Sequence, residues 1–184
     1  MTNPDVDALS NTPSKAAPVK IGQSGWRWLP LAGIVIVLDQ ITKIWVQRHF
    51  EYAESVTVLP VLNITLRYNT GAAFSFLADA SGWQRWFFAG LALTVAGAIV
   101  VWLRRMDGRV QARLACSLSL IMAGALGNLI DRLHLGHVVD FIHAHWGDAD
   151  FPAFNVADSA ITIGAILMLL DAYLEGKREK RQAA

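Results

Sequence analysis

Four apolar stretches, each close to the length that crosses a hydrocarbon core, limit what this chain can fold into. They run over about 29–46, 86–103, 114–130 and 156–173. In a bilayer every backbone N–H and C=O must be satisfied within the chain, so segments of this kind are read as helices. The 184 residues are 54% hydrophobic and only 17% charged, below the quarter or so usual for a soluble domain. The apolar excess lies in blocks, as a multi-pass membrane protein requires. The net charge of +1 gives no electrostatic footprint for nucleic acid.

The spans are not equally apolar. The second and third carry no charge, and the third holds Ala123, Gly124, Ala125 and Gly127, small residues that let helices approach closely. The first is interrupted by Asp39, Gln40 and Lys43, and the fourth has Asp158 near its start and Asp171 near its end. Residues 1–25 are polar and aperiodic and are expected to be a disordered tail. The first apolar block is too long for a signal-peptide core and is read as a span. Residues 26–175 form one membrane domain in this reading, and 176–184 a basic tail.

Lys15, Lys20 and Arg27, then Arg104, Arg105, Arg109 and Arg113, then Lys177, Arg178, Lys180 and Arg181 all fall on one side of a four-span topology. They are 11 of the 16 basic residues. By the positive-inside rule that side is cytoplasmic, both termini included, and the connections 47–85 and 131–155 are extracytoplasmic. In the first connection, Asn63 to Tyr68 alternates as a half-exposed strand does. Asn69-Thr70-Gly71 supplies a turn, Ala72 to Ala80 is expected to be a short surface helix, and Trp83, Trp86 and Phe87 mark the interface. The fold class is thus an all-α polytopic membrane protein with four transmembrane helices, a small extracytoplasmic β-sheet and a short surface helix.

A carboxylate at a helix centre in the bilayer costs about 2.5–3.5 kcal/mol on insertion scales, so the acids here need partners or a task. Asp39 and Lys43, four residues apart, can pair on one helix face, and Asp39 is expected to lie deeper than the outer acids. Asp131 with Arg132 reads either as a salt bridge ending the third span or as half of an acidic pair. Asp140 stands between Val139 and Phe141, and Asp158 follows Asn155, a good helix N-cap. Two carboxyl groups brought together cannot both ionise cheaply, so one keeps a proton. The ionised member can then activate water while the protonated member binds a carbonyl oxygen. The spacing leaves open whether Asp131 or Asp140 partners Asp158.

Other chemistries fit less well. His134, His137, His143 and His145 cluster in the second connection, but no H-E-x-x-H pattern accompanies them, so no metal or other cofactor is expected. The histidines are read as contacts to interfacial water or headgroups. Ser159 lacks a nucleophile-elbow context, and the lone Cys116 reads as a small apolar residue. A small proton-coupled membrane carrier is the alternative function, since intramembrane acids also relay protons.

Five blocks together resemble the bacterial lipoprotein signal peptidases, or signal peptidase II. They are Asp39-Gln40-Ile41-Thr42-Lys43, Tyr68-Asn69-Thr70-Gly71-Ala72-Ala73-Phe74-Ser75, Gly124 to Arg132, Gly136 to Phe141 and Phe154 to Ser159, in order across about 26–175. The resemblance implies an aspartic endopeptidase of the cytoplasmic (inner) membrane. It would cleave prolipoproteins just before a lipobox cysteine that already carries a diacylglyceryl group. It assigns Asp140 and Asp158 to catalysis. Asn69, Gly71, Asn128, Arg132 and Asn155 would support or contact substrate, and Asp39 and Asp131 would be structural. Its implied partners are prolipoproteins and membrane lipids, and the protein is expected to be a monomer. The polar N-terminal tail departs from the family pattern and touches no motif.

Overall fold

The computed structural model describes residues 23–71, 82–147 and 149–182. Among them are four helices long and apolar enough to cross a membrane: α1 (Leu29–His49), α2 (Trp83–Arg105), α3 (Ala112–His134) and α4 (Val156–Gln182). Strands β1 (Ser55–Leu59) and β2 (Leu62–Asn69) follow α1, and β3 (Val138–Trp146) and β4 (Ala149–Asp150) follow α3. They form one antiparallel sheet in the order β1-β2-β3-β4.

Helix α3 is the hub. In its most apolar window 61% of the residues are buried, against 22% in each other span, and it packs on α1, α2 and α4. The small residues explain the close approach to α4. A Cβ at Gly124 would collide with the Ala157 carbonyl, and one at Gly164 would meet the Ser117 carbonyl. Around α3 the interior is apolar and small-grained, from Ala32 on α1 and Ala96, Ile99 and Leu103 on α2 to Leu118, Met122 and Ala123.

A second apolar cluster, Val46, Leu66, Val139 and Phe141, seats the sheet on the end of α1. It decides where Asp140 points. Successive strand residues face opposite ways, so with Val139 and Phe141 packed inward the side chain between them is turned to the other face of β3.

The opposite end of the bundle is tied by residues 23–28. Gly25–Trp28 is a turn of 3-10 helix whose indoles reach across, Trp26 Nε1 donating to the Val100 carbonyl and Trp28 Nε1 to that of Gly108, each at 3.0 Å. Ser24 bridges to Asp107, and Gly108 N–H donates to the Gln23 carbonyl at 2.8 Å. Arg113 Nε pairs with Asp171 Oδ1 at 2.9 Å, joining the start of α3 to the far half of α4.

Several expectations change. The last residues of the anticipated tail, Gln23 to Gly25, are ordered by their bonds to the α2–α3 connection. The C-terminal basic segment is helical, continuing α4 to Gln182. All four helices outrun the apolar windows because polar and aromatic flanks (Trp83, Arg104, Arg132, Lys177) stay helical beyond the hydrocarbon length. The second connection contains strand β3, and Asp140 is a strand residue. Ala72 to Ala80 and residues 1–22 lie outside the described residues.

Candidate active site

Asp140 and Asp158 converge on Asn155. The first comes from β3, the second from the first turn of α4, and Asn155 immediately precedes that helix. Asn155 Nδ2 donates to Asp140 Oδ1 at 2.7 Å, while the Asn155 backbone N–H donates to Asp158 Oδ2 at 3.2 Å. Asn155 Oδ1 in turn accepts the Asp158 N–H at 2.9 Å. This is a reciprocal helix cap, with the acid three residues inside the helix reaching back to the capping residue. The cap fixes the amide. With Oδ1 committed to the helix, Nδ2 must face Asp140 and the Val139 carbonyl, 3.2 Å away. Asn155 is fully buried.

Each carboxylate has a second donor. Asn69, at the end of β2, gives its Nδ2 to Asp140 Oδ2 at 3.1 Å and accepts Gly71 N–H on Oδ1 at 3.0 Å. Asn128, on α3, donates Nδ2 to Asp158 Oδ1 at 2.7 Å. Burial, and then the negative charge of Asp158, raise the Asp140 carboxyl to about 7 against the lowering by Asn69, Asn155 and Lys43. Asp140 therefore exchanges its proton near neutral pH.

Beneath this pair lies a buried ion cluster. Lys43 Nζ is 2.8 Å from Asp39 Oδ2, 2.9 Å from Asp131 Oδ2 and 2.9 Å from Asn128 Oδ1. An ammonium has three N–H donors, and all three are used. Gln40 Nε2 donates to Asp131 Oδ1 at 3.0 Å and to Asp39 Oδ2 at 3.2 Å. The backbone amides of Val139 and Ala157 donate to Asp131 Oδ2 at 3.1 Å and Asp39 Oδ1 at 2.8 Å. The excess negative charge is thus met by one amide side chain and two backbone N–H groups, one of them in the first turn of α4, where the helix dipole favours an anion.

This geometry separates the two acids that the spacing left as rivals. Both oxygens of Asp131 are engaged with Lys43, Gln40 and Val139, turned toward α1, while Asp140 shares Asn155 with Asp158. The salt bridge between Asp131 and Arg132 does not form. Arg132 Nη2 donates to the Gly71 carbonyl at 2.8 Å, and its guanidinium lies 4.9 Å over the Phe88 ring. Adjacent helix residues point about 100° apart, which sends the two side chains to different neighbours. Asp39 is fully buried and meets the start of α4, where it accepts the Ala157 N–H.

The rings of His143 and His145 lie 5.9 Å apart. His143 Nε2 is 3.1 Å from Asp150 Oδ1, and the His137 ring lies 4.2 Å from that of Tyr68. Burial lowers the His137 imidazole below its ordinary value, opposed by the charge of Asp131. Among the described residues no group of three or more His, Cys, Asp or Glu could hold a metal ion. Ser159 Oγ donates to the Asn155 carbonyl at 2.9 Å, a helix-turn bond.

Comparison with known proteins bears on this constellation directly. The family model for signal peptidase (SPase) II matches residues 31–174. The chain belongs to the signal peptidase II family. A lipoprotein signal peptidase of Acinetobacter baumannii is 54% identical over 158 residues, 85% of this chain and 89% of that protein. One of Pseudomonas putida is 51% identical over 162 residues, 87% and 93% of the two chains. A bacterial membrane enzyme solved by the in meso method at 2.3 Å resolution superposes with a TM-score of 0.75. It is 35% identical, with 89% of this chain and 94% of that one covered. The match is to a multi-pass membrane signal peptidase and not to a carrier, and the helices and sheet have the fold of such an enzyme.

Every residue of the site lies inside the stretch matched by the signal peptidase II model. The acids and asparagines singled out in the sequence are all here, with Gly71 and Arg132 closing one side. Sequence reasoning reads Asp39 and Lys43 as a structural ion pair or as packed against polar atoms of another helix, and gives Lys43 and Gln40 no place beside the reactive acids. The signal was available: Asp39, Gln40 and Lys43 fall on one face of an otherwise apolar span, and such a face must meet polar groups from another helix.

Proposed function

We propose that this signal peptidase II cleaves the signal peptide from prolipoproteins just N-terminal to a diacylglyceryl-modified cysteine, using Asp140 and Asp158 as a water-activating pair. The observation that carries this reading is the sharing of one buried amide, Asn155, by both carboxylates. With Asp140 near 7, the pair holds one proton at neutral pH. Asp158 is the base. It takes a proton from water as the oxygen bonds to the scissile carbonyl carbon. Asp140 donates to the carbonyl oxygen and stabilises the charge developing there. Collapse breaks the C–N bond, and a proton passes to the leaving amine of the lipidated cysteine. Water is consumed and the pair returns to its starting state. Asn69, Asn128 and Asn155 hold the two carboxylates apart in orientation, and Arg132 with the Gly71 carbonyl borders the space a substrate backbone would occupy.

The same reading places the protein in the inner membrane as a monomer with both termini in the cytoplasm and the site at the extracytoplasmic surface. Two observations support that orientation: Arg27, Arg104, Arg105, Arg109 and Arg113 gather at the bundle end tied by Trp26 and Trp28, and Asp140 and Asp158 lie at the other. An acyl-anchored cysteine stays near the bilayer, because each buried CH₂ contributes about 0.8 kcal/mol. A site where β3 meets the start of a span suits such a substrate, with membrane lipid as the surrounding medium.

The test is digestion of a synthetic diacylglyceryl prolipoprotein by the reconstituted full chain, read by mass spectrometry. Release of the signal peptide with a free amine on the lipidated cysteine is expected. An intact precursor after prolonged incubation would overturn the reading.

A further inference from the structure

We propose that Lys43 is a positioning residue for the peptidase reaction: through Asn128, its ammonium sets the orientation and polarity of the amide that holds Asp158. The inference rests on the reading of Asp140 and Asp158 as the reactive pair.

Lys43 is buried at 1% exposure and spends two of its three N–H groups on Asp39 and Asp131. If its task were only to neutralise those acids, the third donor could face any carbonyl. Instead it reaches Asn128 Oδ1 at 2.9 Å, and Asn155 Nδ2 approaches the same oxygen at 3.2 Å. With Oδ1 held by these donors, Asn128 presents Nδ2 to Asp158 Oδ1 at 2.7 Å. A flipped amide would set an oxygen against that carboxylate and a nitrogen against the ammonium, both repulsive. The chain Lys43–Asn128–Asp158 is therefore polarised in one sense, each donor strengthening the next.

The charged groups around this chain come from every element that meets it. Asp39 lies on α1, Arg67 on β2 in register opposite Asp140, Asp131 and Arg132 on α3, Asp158 on α4 and Asp140 on β3. Among them Lys43 is a cation whose charge opposes protonation of Asp140, and Arg132 is also coupled to Asp140 by charge. Its removal has a defined sign: Asp140 keeps its proton to higher pH.

The experiment uses charge-balanced full-length variants, because Lys43→Met alone leaves two buried carboxylates unpaired. Lys43→Met with Asp131→Asn is compared with Asp131→Asn alone, and Lys43→Gln with Asp39→Asn serves as the second balanced pair. A balanced variant with a cooperative thermal transition is expected to lose about tenfold or more in kcat with little change in KM, as removal of an orienting group does. The alkaline limb of its pH–rate profile should also move to higher pH. A folded balanced variant with the kcat and alkaline limb of its single-acid control overturns the proposal. Failure of both balanced pairs to fold also overturns it, by assigning the ammonium to assembly alone. The underlying reading is tested separately: turnover retained by Asp140→Asn or Asp158→Asn would remove the reactive pair itself, whatever the Lys43 variants do.

Discussion

Asp39 accepts a hydrogen bond from the backbone amide of Ala157 at 2.8 Å, joining residues 118 positions apart. The contact fixes the start of α4 against the middle of α1. Gly127 makes it possible, since a Cβ there would lie 2.7 Å from Asp39 Oδ2. One residue beyond Ala157 stands Asp158, so a bond from α1 sets the height at which that carboxylate leaves the helix. An acid that makes no hydrogen bond to Asp158 thus takes part in placing it.

Asp140→Asn and Asp158→Asn should each lower kcat by about 10² to 10⁴, the range for loss of a positioned acid or base. Both variants should keep a cooperative unfolding transition, because an amide preserves the shape of each group and part of its hydrogen bonding. Turnover assays on the lipidated precursor, with unfolding followed in parallel, check this. Wild-type rates in either variant would remove that residue from the chemistry.

The pH–rate profile should decline above about 7, where Asp140 gives up its proton and the pair becomes doubly anionic. Asn69 donates to the anionic form and so lowers the Asp140 carboxyl. Asn69→Ala removes that donor and should shift the declining limb to higher pH. A limb that stays in place, or moves down, contradicts the assignment of the limb to Asp140.

Asn155→Ala should damage activity and stability together. It deletes a helix cap, about 1 kcal/mol in ordinary settings, and leaves Asp140 Oδ1 without its 2.7 Å donor. The expected signature is a lower melting temperature with a kcat loss of about a hundredfold, the larger loss reflecting the misplaced acid. Asn155→Asp restores the cap acceptor but sets a carboxylate oxygen against Asp140 Oδ1, the Val139 carbonyl and Asn128 Oδ1 in a fully buried place, so it should recover neither stability nor rate.

Gly124→Val should destabilise the protein by about 1–3 kcal/mol, the usual cost of overpacking. Its side chain would have to displace the Ala157 carbonyl and Ile161. Activity should fall with it, because Ala157 precedes Asp158. Thermal unfolding of the purified variant in lipid or detergent measures the first effect. Unchanged stability would mean that α3 and α4 separate more easily than their packing implies.

The spans were legible because bilayer length and apolar composition leave few alternatives. Helix ends were not, since Trp83 or Lys180 is as comfortable in a helix outside hydrocarbon as in a loop. Strand β3 was hidden because Val138 to Ile142 is a short apolar run whose alternation only shows once Val139 and Phe141 are seen packed on Val46 and Leu66. The acids could be picked out one by one. Their pairing could not, because Asp131 and Asp140 are separated by a turn at Gly136, whose φ of +83° sends the chain back on itself. The role of Asn155 as a cap was readable from its place before an apolar helix, but its bond to Asp140 depends on the fold.

A helix that enters the bilayer with Asp39 and Lys43 one turn apart can travel as a neutral couple, but it remains a poor resident until α3 delivers Asp131 and Asn128 and α4 its first amides. Synthesis runs from the N-terminus, so α1 must wait, half-satisfied, while three further helices are made. Competence for chemistry is then the last event of biogenesis: a nascent chain halted before its final helix has the lysine, the asparagine and one of the two acids, yet nothing to close them into a working centre.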